Sequence, residues 1–220
     1  MAPALAASLV FVGFGIFVLL LLKLVAAQSR KAHQNFTELA QRLGLTPRPA
    51  QPKFGGFWPA GEAEGLLRGK PVRLYGYSTG TGKNRTVWSA LSVQPRQHGG
   101  LTFSLTPQGF GSKLAELFGA REINVGDPAF DQAWFIRTNQ PEFFSAALLP
   151  ELRARLTAAV QSRPQPRQPS LKLDGPHVLY VEAGDFNSHA RRERFTQIAE
   201  VVCDLADVAE VFAQSSQHRR

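Results

Sequence analysis

One uncharged stretch near the N-terminus decides the architecture of this chain. It reads Leu5-Ala-Ala-Ser-Leu-Val-Phe-Val-Gly-Phe-Gly-Ile-Phe-Val-Leu-Leu-Leu-Leu22, and no charged side chain occurs between Ala2 and Leu22. An α-helix rises about 1.5 Å per residue, so about twenty such residues span about 30 Å, the thickness of the hydrocarbon core of a bilayer. The sequence therefore predicts a transmembrane helix that contacts the lipid bilayer through residues 2–22. No later stretch has this character.

The basic residues beside this stretch predict its orientation. None precedes it, whereas Lys23, Arg30 and Lys31 follow it. Because basic flanks stay in the cytoplasm, we expect a single-pass protein of the inner membrane, with its N-terminus outside and its domain in the cytoplasm. These three membrane-flanking residues are expected to meet anionic lipid headgroups.

A cleaved signal peptide is the alternative to a retained anchor. Val25-Ala-Ala27 resembles a small-residue cleavage site, and cleavage there would release an extracytoplasmic domain that begins at Gln28. A signal peptide usually has a basic region before a shorter apolar run. Since neither feature is present, the sequence favours the retained anchor.

The composition bounds the classes of function. Of the 220 residues, 44% are hydrophobic and 19% are charged, which is typical of a globular protein. The formal net charge of +8 favours anionic surfaces, and lipid is the simplest of these beside an anchor. The sequence has neither an interleaving of aromatic and basic residues nor a helix-turn-helix signature, so nucleic-acid binding is not expected. A single cysteine excludes an internal disulfide and a site of four cysteines.

Four regions are predicted along the chain. They are a transmembrane anchor at 1–27, a juxtamembrane helix and Pro-rich linker at 28–53, an α+β cytoplasmic domain at 54–213, and a disordered tail at 214–220. The juxtamembrane helix carries apolar residues on one face from Phe36 to Leu43, and Gly44-Leu45 predicts its end. Its position directly after the span allows it to continue the membrane helix into the cytoplasm.

The domain is predicted to contain an antiparallel sheet with two main packing helices. Alternating or apolar runs predict strands at 57–67, 70–78, 86–95, 101–106, 121–125, after Gly126, 171–173 and 177–182. The first four runs are closely linked, so we expect them to form a meander. The last two should form a hairpin that turns at Asp174-Gly175. The main helices are 141–160, interrupted at Pro150, and 189–213, whose apolar seam should dock on the sheet. A short helix is also expected at 112–118.

The Gly-rich loop before the third strand is not a phosphate-binding loop. Counting back five residues from Gly82 gives Tyr77 instead of Gly, and Asn84 stands where a Walker A motif has Ser or Thr. The loop lies between two strands, so a hairpin loop is favoured. Its exposed basic residues, Lys83 and Arg85, are kept as binding candidates.

The remaining polar candidates are Asp127, Asp131 and His189. The two carboxylates are four residues apart in a Gly-Asp-Pro-x-Phe-Asp turn, where either a binding or acid–base role or a structural role as a turn and helix start is open. The five histidines are scattered without metal-ligand spacing, and Cys203 lies inside the last helix as a core thiol. We therefore predict no catalytic residue, no metal and no cofactor.

A resemblance involves the block from Gly126 to Leu149. The block resembles the motif of uncharacterised bacterial membrane-associated domains, in which an acidic residue, two variable positions, Phe and an acidic residue lead into an aromatic-rich strand and an Ala-Leu-Leu helix. The matching residues are Asp127, Phe130, Asp131, Phe135, Ile136, Ala147, Leu148 and Leu149. The resemblance implies a bacterial, membrane-tethered domain and no particular activity.

These observations favour a non-enzymatic binding or scaffold module at the inner membrane face. A protein partner is left unidentified. The alternatives are a membrane-bound hydrolase or ligand-binding enzyme that uses Asp127 and Asp131, and an extracytoplasmic domain released after signal cleavage.

Overall fold

The computed structural model describes residues 2–53, 58–108, 121–160 and 169–217, with side chains from residue 13 onward. Its first element is one continuous helix, α1 (Ala2–Arg42). The predicted anchor and juxtamembrane helix are therefore parts of the same helix. At its end, Gly44 adopts a left-handed conformation with φ of 68°, and the N–H of Leu45 donates to the carbonyl of Ala40 at 2.8 Å. This is the helix stop predicted at Gly44-Leu45.

The first half of α1 contacts little of the protein. Within the described residues, one helical segment, Gly13–Arg42, is long and apolar enough to cross a membrane. The most apolar part of that segment has a mean hydropathy of 1.5, and none of it is buried inside the protein. An apolar surface of this extent requires lipid or another protein to cover it.

Within the described residues, nine strands form one sheet. They are β1 (Thr46–Pro47), β2 (Glu62–Leu67), β3 (Lys70–Thr79), β4 (Thr86–Val93), β5 (Phe103–Pro107), β6 (Arg121–Ile123), β7 (Trp134–Thr138), β8 (Ser170–Leu173) and β9 (Val178–Ala183). Their order is β1-β2-β3-β4-β9-β8-β5-β7-β6, and every neighbouring pair is antiparallel.

The predicted four-strand meander is only partly correct. β2, β3 and β4 are consecutive neighbours, but β4 pairs with β9, so that Leu91 lies opposite Tyr180. The hairpin of β8 and β9, predicted at Asp174-Gly175, separates β4 from β5. Short connections favour sequential pairing, but here the later hairpin pairs on both sides, β9 with β4 and β8 with β5, and its alternate residues Leu171, Leu173, Val178 and Tyr180 join the core.

In the part of the chain that the structure describes, four α-helices follow α1, namely α2 (Pro128–Ala133), α3 (Pro141–Ala147), α4 (Pro150–Val160) and α5 (His189–Gln217). Pro150 divides α3 from α4, as predicted. The apolar seam of α5, from Phe195 to Ala209, packs against the sheet, and its residues are fully buried. The helix extends to Gln217, so residues 214–217 of the predicted disordered tail are helical. The predicted helix at 112–118 lies outside the described residues.

The helices and alternate residues of the strands share a single core. Phe36 and Leu39 of α1, Ile198 of α5 and Phe144 of α3 belong to the same buried cluster as Leu91 of β4. Since successive strand residues point to opposite faces, the other face of the sheet lies away from this cluster. The fold is thus α+β, an antiparallel sheet with helices on one face and an apolar N-terminal helix.

Candidate functional site

A cleft lies where α1 meets the sheet. It is bounded by α1 residues 25–36, by residues 58–61, by residues 85–89 around the start of β4 and by residues 185–187 before α5. We call it the junction cleft. Its volume is about 280 Å³. The cleft adjoins the exposed apolar part of α1, because its α1 wall begins at Val25, at the edge of that part.

The segment 58–61 is fixed to α1 by specific contacts. The N–H of Trp58 donates to Oγ of Ser29 at 3.3 Å, and the Trp58 ring stacks on His33 with 4.3 Å between centroids. The N–H of Gly76 donates to the carbonyl of Gly61 at 3.0 Å, which ties the segment to β3. A Cβ atom on Gly61 would lie 2.2 Å from the Phe36 ring. Only glycine allows α1 to approach this closely.

An aromatic row connects the cleft to the interior. Phe36 packs edge-on against Phe186 at 5.3 Å, Phe186 against Phe195 at 5.1 Å, and Phe195 against Tyr180 at 5.3 Å between ring centroids. Nδ2 of Asn35 also donates to the Asn187 carbonyl at 3.4 Å. These contacts fix the buried part of α1 relative to the loop before α5.

The row ends at a buried charge cluster of Tyr180, Glu182, Arg191 and Arg194. The Glu182 side chain is fully buried, and it accepts hydrogen bonds from the Tyr180 hydroxyl and from Nε and Nη2 of Arg194, each at 2.8 Å. Nε of Arg191 donates to the same carboxylate. The charges are therefore compensated by hydrogen bonds within the fold, the arrangement that a buried carboxylate requires.

The pKa values in this cluster follow from burial and charge. Burial alone would raise the pKa of Glu182, but the hydrogen bonds and charge of Arg194, with Arg191 and Tyr180, lower it below its usual value. Burial raises the pKa of Tyr180 well above its usual value. The hydrogen bond to Glu182 raises the pKa of Arg194. Glu182 is thus an anion at neutral pH and has no proton to donate.

Of the two predicted loop residues, one lines the junction cleft. Arg85 is exposed at its rim, and its guanidinium makes no hydrogen bond or ion pair with any described residue. Lys83 lies in a short 3-10 turn, Gly82–Asn84, and is not among the lining residues. The loop is a hairpin connection between β3 and β4, as predicted.

Asp127 and Asp131 hold their own turn together. Oδ1 of Asp127 accepts from the N–H of Phe130 at 3.2 Å, which caps α2, and Oδ2 lies 3.2 Å from Nη1 of Arg153. Oδ1 of Asp131 accepts from the N–H of Val125 at 2.9 Å, and Oδ2 accepts from the N–H of Gly126 at 3.1 Å. Both carboxylates thus have structural partners, and their predicted binding role stays a prediction.

His189 and the membrane-flanking residues lie at the surface. The His189 side chain is 73% exposed, with Nε2 3.7 Å from Glu193 one turn later in α5. Lys23, Arg30 and Lys31 are exposed on α1. Lys23 and Arg30 line a shallow recess together with Trp58, which therefore separates this recess from the junction cleft.

Metal and thiol chemistry find no support among the described residues. No group of three or more His, Cys, Asp or Glu side chains there is arranged to hold a metal ion. Cys203 is buried in α5, and burial raises the pKa of its thiol to about 11. A thiol with this pKa is protonated at neutral pH and is a poor nucleophile.

The sheet face opposite the helices is a second candidate surface. We call it the open face and define it by Arg73, Tyr75, Lys172 and Leu179, which line a broad depression of about 610 Å³. Arg73 lies over the Tyr75 ring at 4.8 Å. The Tyr75 and Tyr77 rings are 5.9 Å apart. Arg73 is exposed and pairs with Glu62, and Tyr75 is half-buried. Tyrosine and arginine are common in protein interfaces.

Sequence reasoning found Arg85 but missed most of the junction cleft. Trp58, His33 and Phe186 are far apart along the chain, and no spacing rule connects them. No local signal was available, because Trp58 follows the predicted end of the span at Leu22 by more than thirty residues. Residues 57–67 were instead interpreted as a strand, although β2 begins only at Glu62.

Comparison with known proteins identifies a fold and no family. No protein-family model and no curated protein sequence matches the chain. One solved structure is similar, the mycobacterial trehalose monomycolate transport factor A, with a TM-score of 0.50 and 11% identity. The similarity covers 81% of this chain and 94% of that one. At this identity it bears on the fold alone, and it agrees with an α+β domain that follows an apolar N-terminal helix.

Proposed function

We propose that this protein is a single-pass, membrane-anchored and non-enzymatic binding module whose domain lies in the cytoplasm at the inner membrane face. The observation that carries the proposal is the continuity of α1. Its exposed apolar part and its buried part are one helix, so an inserted anchor would hold the sheet at a fixed position relative to the bilayer. The open face would then be presented to a partner at a defined height.

Three further observations support a binding role over catalysis. Glu182, Asp127 and Asp131 are occupied by hydrogen bonds that stabilise the fold. The open face carries arginine and tyrosine side chains, which anchor many protein interfaces. The similar fold belongs to a protein named as a transport factor, a name that fits an accessory role at a membrane. Turnover of a substrate that depended on Asp127 or Asp131 would contradict the proposal.

The first test concerns topology. A fluorescent protein and, separately, a phosphatase active only outside the cytoplasm are fused after Arg220. Fluorescence without phosphatase activity is expected, because the basic residues that follow the span favour the cytoplasm. Phosphatase activity without fluorescence would reverse the orientation. In that case, a mature N-terminus at Gln28 in mass spectrometry would identify the cleaved, extracytoplasmic alternative.

A second test examines binding by the open face. A photo-crosslinking amino acid is placed at Tyr75 on the open face and, as a matched control, at Val211, which is exposed on the outer side of α5. In native membranes, we expect a discrete crosslinked species from position 75 and none from position 211. The same pattern from both positions, or no product from either, would contradict a binding role for the open face.

A further inference from the structure

We propose that the junction cleft binds one anionic phospholipid from the adjoining leaflet, with part of an acyl chain along Phe36 and Trp58 and the phosphate at Arg85. The inference rests on the proposed membrane anchoring and adds a ligand to it. Neither the predicted anchor nor the similar fold assigns a ligand to this cleft.

The position of the cleft favours a membrane lipid over a soluble ligand. Val25 lines the cleft and follows the predicted end of the span at Leu22 by three residues, a rise of about 5 Å along the helix. When the span is inserted, the mouth of the cleft therefore lies at headgroup depth. A lipid enters from the leaflet without crossing bulk water, whereas a soluble ligand competes with the surrounding lipid.

The size and walls of the cleft suit part of a lipid chain. A volume of about 280 Å³ is near the lower limit for small-molecule clefts, about 300–1,000 Å³. It therefore accommodates a segment of one chain, while the rest of the lipid stays in the leaflet. The rings of Phe36, Trp58 and Phe186 supply apolar walls.

The charges at the mouth select an anionic headgroup. Arg85 is exposed at the rim, and Lys23 and Arg30 lie on the other side of Trp58. None of the three forms an ion pair with a described residue. One carboxylate, Asp185, also lines the cleft, but it accepts hydrogen bonds from the N–H and Nδ2 of Asn187. A planar guanidinium binds phosphate oxygens through two hydrogen bonds at once, so Arg85 is the expected phosphate contact.

The test uses the full chain in bilayer nanodiscs that contain equal amounts of phosphatidylglycerol and phosphatidylcholine. Native mass spectrometry after gentle release should detect one retained phosphatidylglycerol per chain. Arg85→Gln should reduce the retained fraction by at least about tenfold, because it removes the two charge-assisted hydrogen bonds to phosphate. Lys83→Gln is the matched control, because Lys83 is in the same loop but does not line the cleft. It should retain lipid as the unmodified chain does.

A second variant tests where the lipid lies. Ala32 is on the α1 wall of the cleft, so Ala32→Phe should fill it and abolish retention. Several outcomes would overturn the proposal: no retained lipid, equal retention of the two lipids, equal effects of Arg85→Gln and Lys83→Gln, or retention unchanged in Ala32→Phe. Displacement of the lipid by glycerophosphate alone would assign the site to a soluble anion and would overturn it as well.

Carbonate extraction of the same membranes separates failure of the two proposals. A chain that resists extraction but retains no lipid contradicts the cleft assignment alone. A chain that carbonate releases contradicts the anchoring on which the assignment rests.

Discussion

The two halves of α1 differ in both their residues and their surroundings. In the first half, Phe14 and Phe17 are 65% and 56% exposed, whereas Phe36 and Leu39 in the second half are buried against the sheet. The first half is apolar all round, and the second has an apolar stripe with polar residues opposite. A single apolar stripe suits packing against one protein surface, whereas a helix that is apolar on every side exposes apolar surface wherever protein does not surround it. The distribution around the helix determines whether lipid or protein covers it.

Charged substitutions in the first half of α1 should have the largest effect, which is on membrane retention. The double change Phe14→Arg and Phe17→Arg places two charges in the predicted span, and each costs about 2.5–3.5 kcal/mol near the centre of a membrane helix. We expect the protein to move from the carbonate-resistant membrane fraction to the soluble or aggregated fraction. Phe14→Leu with Phe17→Leu is the control and should stay in the membrane. Full membrane retention of the double arginine variant would show that this half needs no bilayer.

The second prediction concerns the buried charge cluster around Glu182, which the aromatic row connects to the second half of α1. Glu182→Gln removes the anion that Arg191 and Arg194 share, so it should lower the free energy of unfolding by about 3–5 kcal/mol. Chemical denaturation monitored by circular dichroism measures this change. Glu193→Gln removes an exposed partner of Arg42 and should cost less than about 1 kcal/mol. Equal costs for the two variants would mean that burial of Glu182 does not matter.

The pH dependence supplies a second measurement on the same residue. The pKa of Glu182 is lower in the folded protein than its usual value of 4.5, so the unfolded state binds more protons as the pH falls. The stabilisation by Glu182 is therefore complete above that usual value and is lost as the pH falls through the folded pKa. The stability difference between the unmodified protein and Glu182→Gln should shrink between neutral and acidic pH. A constant difference would contradict the lowered pKa.

A third prediction tests the buried half directly. Leu39 is fully buried in the core, so Leu39→Ala should lower the free energy of unfolding by about 2–5 kcal/mol, because it leaves a cavity beside the sheet. Membrane retention should be unchanged, since the span is intact. Leu24→Ala, at an exposed position of the same helix, should leave domain stability within about 0.5 kcal/mol. A destabilisation of the same size from Leu24→Ala would show that the two halves do not differ in their surroundings.

The smallest effect is expected away from α1. Asp127 caps α2, so Asp127→Ala should cost about 1 kcal/mol. Differential scanning calorimetry measures this as a small decrease in Tm. Membrane retention and lipid retention should not change. Loss of lipid or partner binding in Asp127→Ala, with stability preserved, would instead support the predicted binding role of this residue.

The sequence by itself determined those features that depend on local pattern. The uncharged run before Lys23, the helix stop at Gly44, the hairpin at Asp174-Gly175 and the seam of α5 follow from periodicity and turn chemistry, which act over a few residues. Arg85 was identified as a candidate because an exposed basic residue in a Gly-rich loop is recognisable without a fold. These signals are local, so no tertiary information was needed.

Only the tertiary structure decided which distant segments meet. The insertion of β8 and β9 between β4 and β5, the meeting of Trp58 with His33, and the clustering of Glu182 with Arg191 and Arg194 all depend on packing between separate elements. The turn of Asp127 and Asp131 illustrates the same limit, because its sequence favours a capped helix but leaves a binding site open. Strand pairing and helix docking depend on the total apolar surface that they bury. Contacts between elements from the whole chain contribute to this area, so no local stretch of sequence determines it.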